Sequence, residues 1–334
     1  MNEPASHLPF DALNAALKAA GEATRLRVLA LLAEAELTVS DLTDILRQSQ
    51  PRISRHLKLL VEAGLVQRFR EGSWAFFRLA ESGGSAELAR ALVARLDPDD
   101  PIVMRDRERL SAVRRARADA AQAYFRAHAA QWDRIRKLHV TDAAVEAAIS
   151  DALAGKPFRS LLDLGTGTGR ILELFGSDIE RGLGIDLSLD MLHLARARLE
   201  RSGLRHCSVR QGDIYDLPVP ANSFDVVVLH QVLHYLDDGA RAIREAARVL
   251  APSGRLVVVD FAPHDLEFLR DEHAHRRLGF TEETVAQWMS AAGLDAVSHR
   301  SLKPEPGSDG KIAVSIWLGR DPRILMAQTK REVA

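Results

Sequence analysis

Cysteine is almost missing from this chain: Cys207 stands alone among 334 residues. One thiol excludes a disulfide framework and a thiolate-rich metal site within a single chain, and a reducing cytoplasm is expected. Also missing is any run of about 18 apolar residues, so no membrane-spanning helix is expected. The first residues, MNEPASHLPFDAL, are acidic and contain no apolar stretch of the signal-peptide kind. Net charge is small as well, −1 at neutral pH, but it hides an asymmetry. Arg47 to Arg78 carries seven Lys/Arg against two Glu, and Arg105 to His139 carries ten against four Asp/Glu. Local basic stretches are either a footprint for nucleic acid or a solvated helix face. Hydrophobic residues at 46% and charged residues at 27% are ordinary for a soluble chain.

Breaks in the pattern divide the chain into residues 1–97, 98–155, 156–322 and a tail, 323–334. The first part is helix-rich and ends at Leu96-Asp97-Pro98-Asp99-Asp100-Pro101, where proline stops a helix. The second is Arg/Ala-rich helix up to Gly155 and Pro157. From Phe158 onward, β-like runs alternate with helical ones, the mark of a parallel α/β sheet.

In the first part, Leu26, Leu29, Leu31 and Leu32 predict an amphipathic helix ending near Glu34. Thr38-Val39-Ser40-Asp41 opens a second, with Leu42, Ile45 and Leu46 inward. A third follows Ser49, a suitable N-cap, with Pro51 in its first turn and Gly64 past its end. Ile53, Leu57, Leu60 and Val61 repeat at helical spacing, which turns Gln50, Arg52, Ser54, Arg55, His56 and Lys58 toward the other side. Such donors on one face suit base edges and phosphates. The stretch LVQRFREGSWAFFRL then predicts a hairpin turning at Glu71-Gly72, with Arg68, Arg70 and Arg78 on it.

AGEATRLRVLALL, SQPRISRHLKLLVEAGLV and REGSWAFFRL, in that order, resemble the ArsR/SmtB-type repressors. The resemblance covers the first quarter of the chain. It implies a winged helix-turn-helix acting as a homodimer on two-fold, double-stranded operator DNA, with Gln50, Arg52, Ser54, Arg55, His56, Lys58, Arg68 and Arg70 as DNA-binding residues. One departure is informative. Many members hold metal through a Cys-Val-Cys step at the second helix, where this chain reads Leu37-Thr38-Val39-Ser40-Asp41. Hydroxyls are poor ligands for soft metals, so no metal site is expected there. A winged helix used only for protein contacts is the alternative.

In the third part, the strand-like FRSLLDL leads into Gly165-Thr166-Gly167-Thr168-Gly169 and a helical RILELF. Glycines between strand and helix let a backbone approach a ligand closely, and the helix start offers free N–H groups. Asp163, just before the turn, is placed for the amino end of a methionine-like ligand. Asp186 ends a second strand, GLGID, where a carboxylate accepts from both ribose hydroxyls; an N-cap role is its alternative, though Ser188 serves for that. Asp213 closes HCSVRQGD, placed for an adenine amino group with Ile214 beside the ring, or is simply a turn aspartate. SFDVVVLHQ predicts a buried fourth strand running to His230, REAARVLAPSGRLVVVDF a helix, a turn and a fifth strand, and LDAVSHRSL with KIAVSIWLG a final antiparallel pair.

LLDLGTGTG, GIDLS, QGDIYDLP and RVLAPSGRL together resemble the class I methyltransferases dependent on S-adenosylmethionine (SAM), of the quinone-biosynthesis type. The resemblance spans Phe158 to Arg320. It implies SAM or S-adenosylhomocysteine held by Asp163, Gly165, Thr166, Gly167 and Gly169 at the methionine end, by Asp186 and Leu187 at the ribose and by Asp213 and Ile214 at the adenine, with His230 bordering the pocket. The fold expected is therefore multidomain: an N-terminal all-α winged helix-turn-helix with a β-hairpin wing, a helical linker, and a C-terminal α/β Rossmann-like, seven-stranded methyltransferase sheet.

Acceptor-side candidates are His230, His234, Tyr235, His273 and His275, with a pocket-wall or surface role as the alternative for each histidine. Because SAM is already an activated donor, alignment of the acceptor matters more than a dedicated base. Asp271, His273 and His275 are not expected to bind metal, since His-x-His spacing suits a strand and a helix is expected here. The absence of an Asn/Asp-Pro-Pro-aromatic tetrad and of several cysteines argues against amino-methylating DNA or glutamine enzymes and against arsenic methylation. A small-molecule acceptor is expected. In the linker, Leu110, Val113, Ala120 and Tyr124 share a face that would pair two chains, and Tyr124, Phe125 and Trp132 form either a lid over the cofactor or packing against the sheet. Three functions stay open: a SAM-dependent methyltransferase joined to a regulator, a silent sensor of SAM or S-adenosylhomocysteine, and an enzyme whose winged helix only dimerises.

Overall fold

The structure, a computed structural model, describes residues 7–71, 73–80, 82–128, 141–304 and 312–323. Gly72, Trp132 and most of the loop 303–310 lie outside the described residues, and so does the end of the chain from 324. The chain divides into two units, Met1–Ala120 and Ala121–Ala334. The boundary expected at 97/98 falls inside the first unit.

The first unit contains α1 (Phe10–Ala20), α2 (Ala23–Glu34), β1 (Leu37–Thr38), α3 (Val39–Leu46), α4 (Gln50–Glu62), β2 (Val66–Glu71), β3 (Trp74–Leu79), α5 (Gly84–Val93) and the start of α6 (Pro101–His128). The three strands form one antiparallel sheet in the order β1-β3-β2. Two-residue β1 has no periodicity of its own; it forms because Leu37 and Thr38 lie opposite Phe77 and Phe76. Helix α3 starts with a capping box: the Thr38 hydroxyl accepts from the Asp41 N–H, and the Asp41 carboxylate accepts from the Thr38 N–H at 2.9 Å. Ser49 occupies the N-cap position of α4 but makes no side-chain capping bond, and Gly64 takes the left-handed conformation expected past the helix end. Val28, Leu29, Leu42, Ile45, Ile53, Leu57 and Leu60 are all buried in the one core of this unit.

Arg107, Arg109, Arg114 and Arg117 of α6 have partners within this unit. Asp106, 4% exposed, takes a bidentate pair from Arg27 at 2.6 Å through each oxygen. Arg114 donates to the Glu34 carbonyl at the end of α2, and Arg109 donates to the Ile45 carbonyl near the end of α3. Both satisfy carbonyls that a helix terminus leaves without an internal partner. Arg117 pairs with Asp41 at the other end of α3. Leu110 is buried in the same core and so is not presented to a second copy as expected, while Val113, partly buried, packs against that core.

The second unit continues with α7 (Asp142–Leu153), β4 (Ser160–Leu164), α8 (Arg170–Phe175), β5 (Arg181–Asp186), α9 (Leu189–Arg201), β6 (Cys207–Gln211), β7 (Phe224–His230), α10 (Gly239–Val249), β8 (Leu250–Phe261), α11 (Phe268–His273), α12 (Glu282–Ala291), β9 (Asp295–Leu302) and β10 (Val314–Arg320). Its seven strands run in the order β6-β5-β4-β7-β8-β10-β9, with β10 antiparallel to both its neighbours. Neighbouring residues feed opposite faces: Leu161, Val226 and Val228 enter one core, Leu162, Val227 and Leu229 the other. Burial on both sides explains why these strands read as continuous apolar runs rather than alternating ones. Pro252-Ser253-Gly254, expected as a turn before a strand, is an excursion within β8, since Phe224 pairs Leu250 while Val226 already pairs Arg255. The order of strands reverses between β4 and β7, and in open α/β sheets ligands bind beyond the carboxyl ends of strands at such a reversal.

Among the described residues, no helix is long and apolar enough to cross a membrane.

Candidate functional site

The first region is the outer face of α4. Ile53, Leu57 and Leu60 point into the core and leave Gln50, Arg52, Ser54, Arg55 and Lys58 exposed. Lys58 pairs loosely with Glu62 at 3.8 Å, one helical turn on. His56 departs from this group. It is half-buried, with Nδ1 3.5 Å from the Glu22 carboxylate, and burial lowers its pKa, so it faces α2 rather than outward as expected. On the hairpin, Arg68 and Arg70 are exposed, whereas Arg78 reaches Glu36 and Gln67 and lies over the Phe69 ring. The three α4 cations and two wing cations therefore remain on the surface, where phosphate or base edges can be met.

The second region lies at the carboxyl ends of β4, β5 and β7. Gly165, Gly167 and Gly169 all have positive φ, at 69°, 53° and 81°, which only glycine adopts readily. A Cβ on Gly165 would come within 2.3 Å of the Val232 side chain. Asp163 is buried under the turn and accepts from the Thr166 hydroxyl at 2.6 Å, so part of its carboxylate holds the loop itself. Thr166 packs where a Cβ on Gly184 would be, 2.6 Å from its Oγ1. Gly184 was not singled out from the sequence; a glycine inside a strand is the signal for such a close approach.

Asp186 joins the turn to β5. One of its oxygens accepts from the Gly167 N–H at 2.9 Å, the other from the Ser188 N–H at 2.8 Å. Burial pushes its pKa up against these bonds. A carboxylate has about four acceptor positions, so two amides do not saturate it. Ser188 caps α9, accepting from the Met191 N–H. Leu187, beside Asp186, is 38% exposed. Strand β6 stops at Gln211, two residues short of the expected end, and Asp213 sits exposed in the following loop with Oδ1 accepting from the Tyr215 N–H. Ile214 is 6% exposed and belongs to the core beside Ile185 and Leu217.

The third region adjoins the ends of β7 and β8. His230 ends β7, and the next residue, Gln231, is held at a φ of 55° with its N–H donating to Val259 O. His234, in the turn Leu233–Tyr235, lies 2.8 Å through Nδ1 from Asp260, a carboxylate with no exposure at all. The His234 ring is enclosed by Tyr235 at 4.1 Å, His275 at 4.2 Å and Phe261 at 4.7 Å between centroids. Tyr124 hydrogen-bonds His273 Nδ1 at 2.6 Å, and Phe125 meets the Tyr235 ring edge-on at 4.8 Å. Four of the five acceptor-side candidates, His234, Tyr235, His273 and His275, thus share one aromatic cluster. Burial raises the pKa of Tyr124 to about 12, holds that of Tyr235 well above the usual tyrosine range, and lowers that of His264 to about 4. At neutral pH these three groups are therefore uncharged. Helix α11 ends at His273, with Ala274 left-handed, so His275 lies beyond the helix expected to carry it. Among the described residues no group of three or more His, Cys, Asp or Glu side chains is arranged to hold a metal ion. Asp260 was overlooked in the sequence because a carboxylate inside VVVDF carries no local sign of its partner, which is 26 residues away.

Comparison with known families agrees with this division. A model of bacterial regulatory proteins of the arsR family matches residues 22–68, and a methyltransferase-domain model matches residues 162–258. Among relatives, the uncharacterized methyltransferase YcgJ of Bacillus subtilis is 28% identical over 153 residues, covering 43% of this chain and 58% of its own. The demethylmenaquinone methyltransferase of Deinococcus radiodurans is 35% identical over 155 residues, covering 44% of this chain and 62% of its own. This chain therefore spans less than two thirds of these relatives. A solved chain from the complex of the Haloferax volcanii Trm112 methyltransferase activator superposes with a TM-score of 0.51 at 23% identity, covering 62% of this chain and 99% of that one, which supports the fold.

Proposed function

We propose that this chain, which joins an arsR-family helix-turn-helix to a methyltransferase domain, is a DNA-binding regulator whose C-terminal domain binds SAM and methylates a small molecule. In this reading it acts as a cytoplasmic homodimer, the winged helix reads operator DNA, and SAM or S-adenosylhomocysteine alters the affinity for that DNA. The observation that carries the cofactor part is the left-handed glycine turn tied by its Gly167 N–H to the Asp186 carboxylate.

The donor set of this turn fits SAM. Gly165, Thr166, Gly167 and Gly169 with Asp163 would hold the amino-acid end, Asp186 with Leu187 the ribose, and Asp213 with Ile214 the adenine, with His230 at the border. When bound, SAM supplies an electrophilic methyl group on a sulfonium. The protein aligns the acceptor and excludes water. On the DNA side, Gln50, Arg52, Ser54, Arg55, Lys58, Arg68 and Arg70 would contact the duplex, with His56 supporting α4 from behind.

The coupling in this reading is supported by the way α6 grips α3 at both ends through Arg109 and Arg117. The same helix continues to Tyr124 and Phe125. A shift of α6 would therefore move α3 and the recognition helix that follows it, and half-sites about one DNA turn apart are sensitive to small rotations. Calorimetry with SAM and S-adenosylhomocysteine, followed by DNA titration at fixed salt with each ligand saturating, tests this. The expected coupling is about 1–3 kcal/mol, roughly 5- to 150-fold in DNA affinity, reciprocated in ligand affinity. Superimposed DNA curves would show that the two activities merely share a chain, and failure of both ligands to bind would remove the cofactor assignment.

A further inference from the structure

We infer that His234 and Asp260 form a proton-accepting pair for the methyl acceptor, and that the acceptor is a flat molecule attacking through a hydroxyl oxygen. This rests on the methyltransferase reading above.

The first argument is placement. β7 and β8 are adjacent parallel strands, and His234 and Asp260 lie at or just beyond their carboxyl ends, where sheets of this type engage ligands. The second is the degree to which the imidazole is fixed. Asp260 Oδ1 faces His234 Nδ1 at 2.8 Å and also accepts from the Phe261 N–H at 2.8 Å, while Oδ2 accepts from the His234 N–H at 3.3 Å. The His234 carbonyl accepts from the Arg276 and Arg277 N–H groups at 2.8 and 3.0 Å. In a neutral imidazole, a buried carboxylate beside Nδ1 favours the tautomer with the proton on that nitrogen, which leaves Nε2 as the proton-accepting atom.

The third argument is the company of this ring. Tyr235, His275, Phe261 and Phe125 offer aromatic faces and edges within a few ångströms of it or of each other. The titratable groups facing His234 are Asp260, Tyr235, His275 and His264, with Tyr124 behind Tyr235. Such walls favour a flat, uncharged molecule over a carboxylate or phosphate.

The step balances as follows. Nε2 of His234 takes the proton as the acceptor O–H bond breaks. The oxygen lone pair forms the new C–O bond to the methyl carbon, and the C–S electron pair returns to sulfur. Asp260 stabilises the resulting imidazolium until its proton passes to water. His234 is thus the catalytic residue, and Asp260 its positioning residue.

4-Nitrophenol is a suitable probe, because its absorbance reports its ionisation. Titrated with protein saturated by S-adenosylhomocysteine, near the probe's own pKa, it is expected to bind with a larger ionised fraction than in free solution. That excess should vanish in His234→Gln, which keeps a donor for Asp260, and in Asp260→Asn, while calorimetry shows S-adenosylhomocysteine binding within threefold of the parent. With SAM, transfer to 4-nitrophenol should fall about 10²- to 10⁴-fold in His234→Gln, the range of general-base contributions. Transfer to 4-nitrothiophenol, already ionised at neutral pH, should fall less than threefold. Equal losses for both acceptors, an unchanged ionised fraction in the parent, or no binding of the phenol overturns the pair's role. Loss of S-adenosylhomocysteine binding by the parent protein would instead overturn the methyltransferase reading on which it depends.

Discussion

Replacing Asp186 with Asn separates the ligand-binding role of this carboxylate from its structural one. Its oxygens accept from the Gly167 N–H at 2.9 Å and the Ser188 N–H at 2.8 Å. An asparagine has a single acceptor oxygen, so one of these bonds is lost, at a cost of about 0.5–1.5 kcal/mol. An opposing effect comes from charge. Burial raises the folded-state pKa of Asp186, so the folded chain binds that proton more tightly than the unfolded chain. This group's contribution to stability therefore grows as pH falls through the raised pKa and is lost above it, where the ionised form is a burden. A neutral amide relieves that burden. The two effects oppose, and the ligand-free protein is expected to stay within about 1 kcal/mol of the parent, a Tm change of roughly 2–4 °C for a domain of this size. The ligand has no such compensation. Hydrogen bonds from ribose hydroxyls to a charged acceptor contribute about 1.5–3 kcal/mol, so affinity for S-adenosylhomocysteine should fall roughly 10- to 100-fold. Calorimetry measures the affinity, and thermal denaturation confirms the fold. Asp186→Ala should lose both amide anchors and show a larger drop in Tm. A folded Asp186→Asn protein that binds the ligand as tightly as the parent would refute the assignment of this carboxylate.

Gly165→Ala combines a left-handed backbone with a Cβ 2.3 Å from Val232, and strain plus overpacking should destabilise the protein by about 2–5 kcal/mol in urea melts. Adding Val232→Ala should restore part of that loss; no recovery would show that the clash is not the cause. Arg52→Ala and Arg55→Ala on α4 should each weaken operator binding by about 1–3 kcal/mol where the contact is to a base, and unchanged anisotropy titrations for both would remove α4 from the interface. Zinc, cadmium or arsenite should leave DNA binding intact, because the Thr38 hydroxyl is engaged in the α3 capping box and residues 1–120 contain no cysteine. Metal-dependent release reversed by a chelator would reveal a site elsewhere.

Local signals in the sequence determined most of the architecture. The spacing of Ile53, Leu57 and Leu60 set which side of α4 faces inward, and the apolar runs around Leu162, Ile185 and Val227 set the central strands, because periodicity and burial are properties of neighbouring residues. The glycine turn and Asp186 were legible for the same reason, since strand, turn and helix follow one another along the chain. What the tertiary structure decided are matters of partners distant in sequence. It turned His56 toward Glu22, drew Leu110 into the core of the first unit, and set the α6 arginines on the ends of α2 and α3. It also placed Ile214 within a core and brought Asp260 to His234. A side chain's periodicity states which face it occupies but not what lies opposite, and a charge shows its sign but not its counterpart. Those are fixed only when elements far apart in the chain pack and each buried polar group must find a partner.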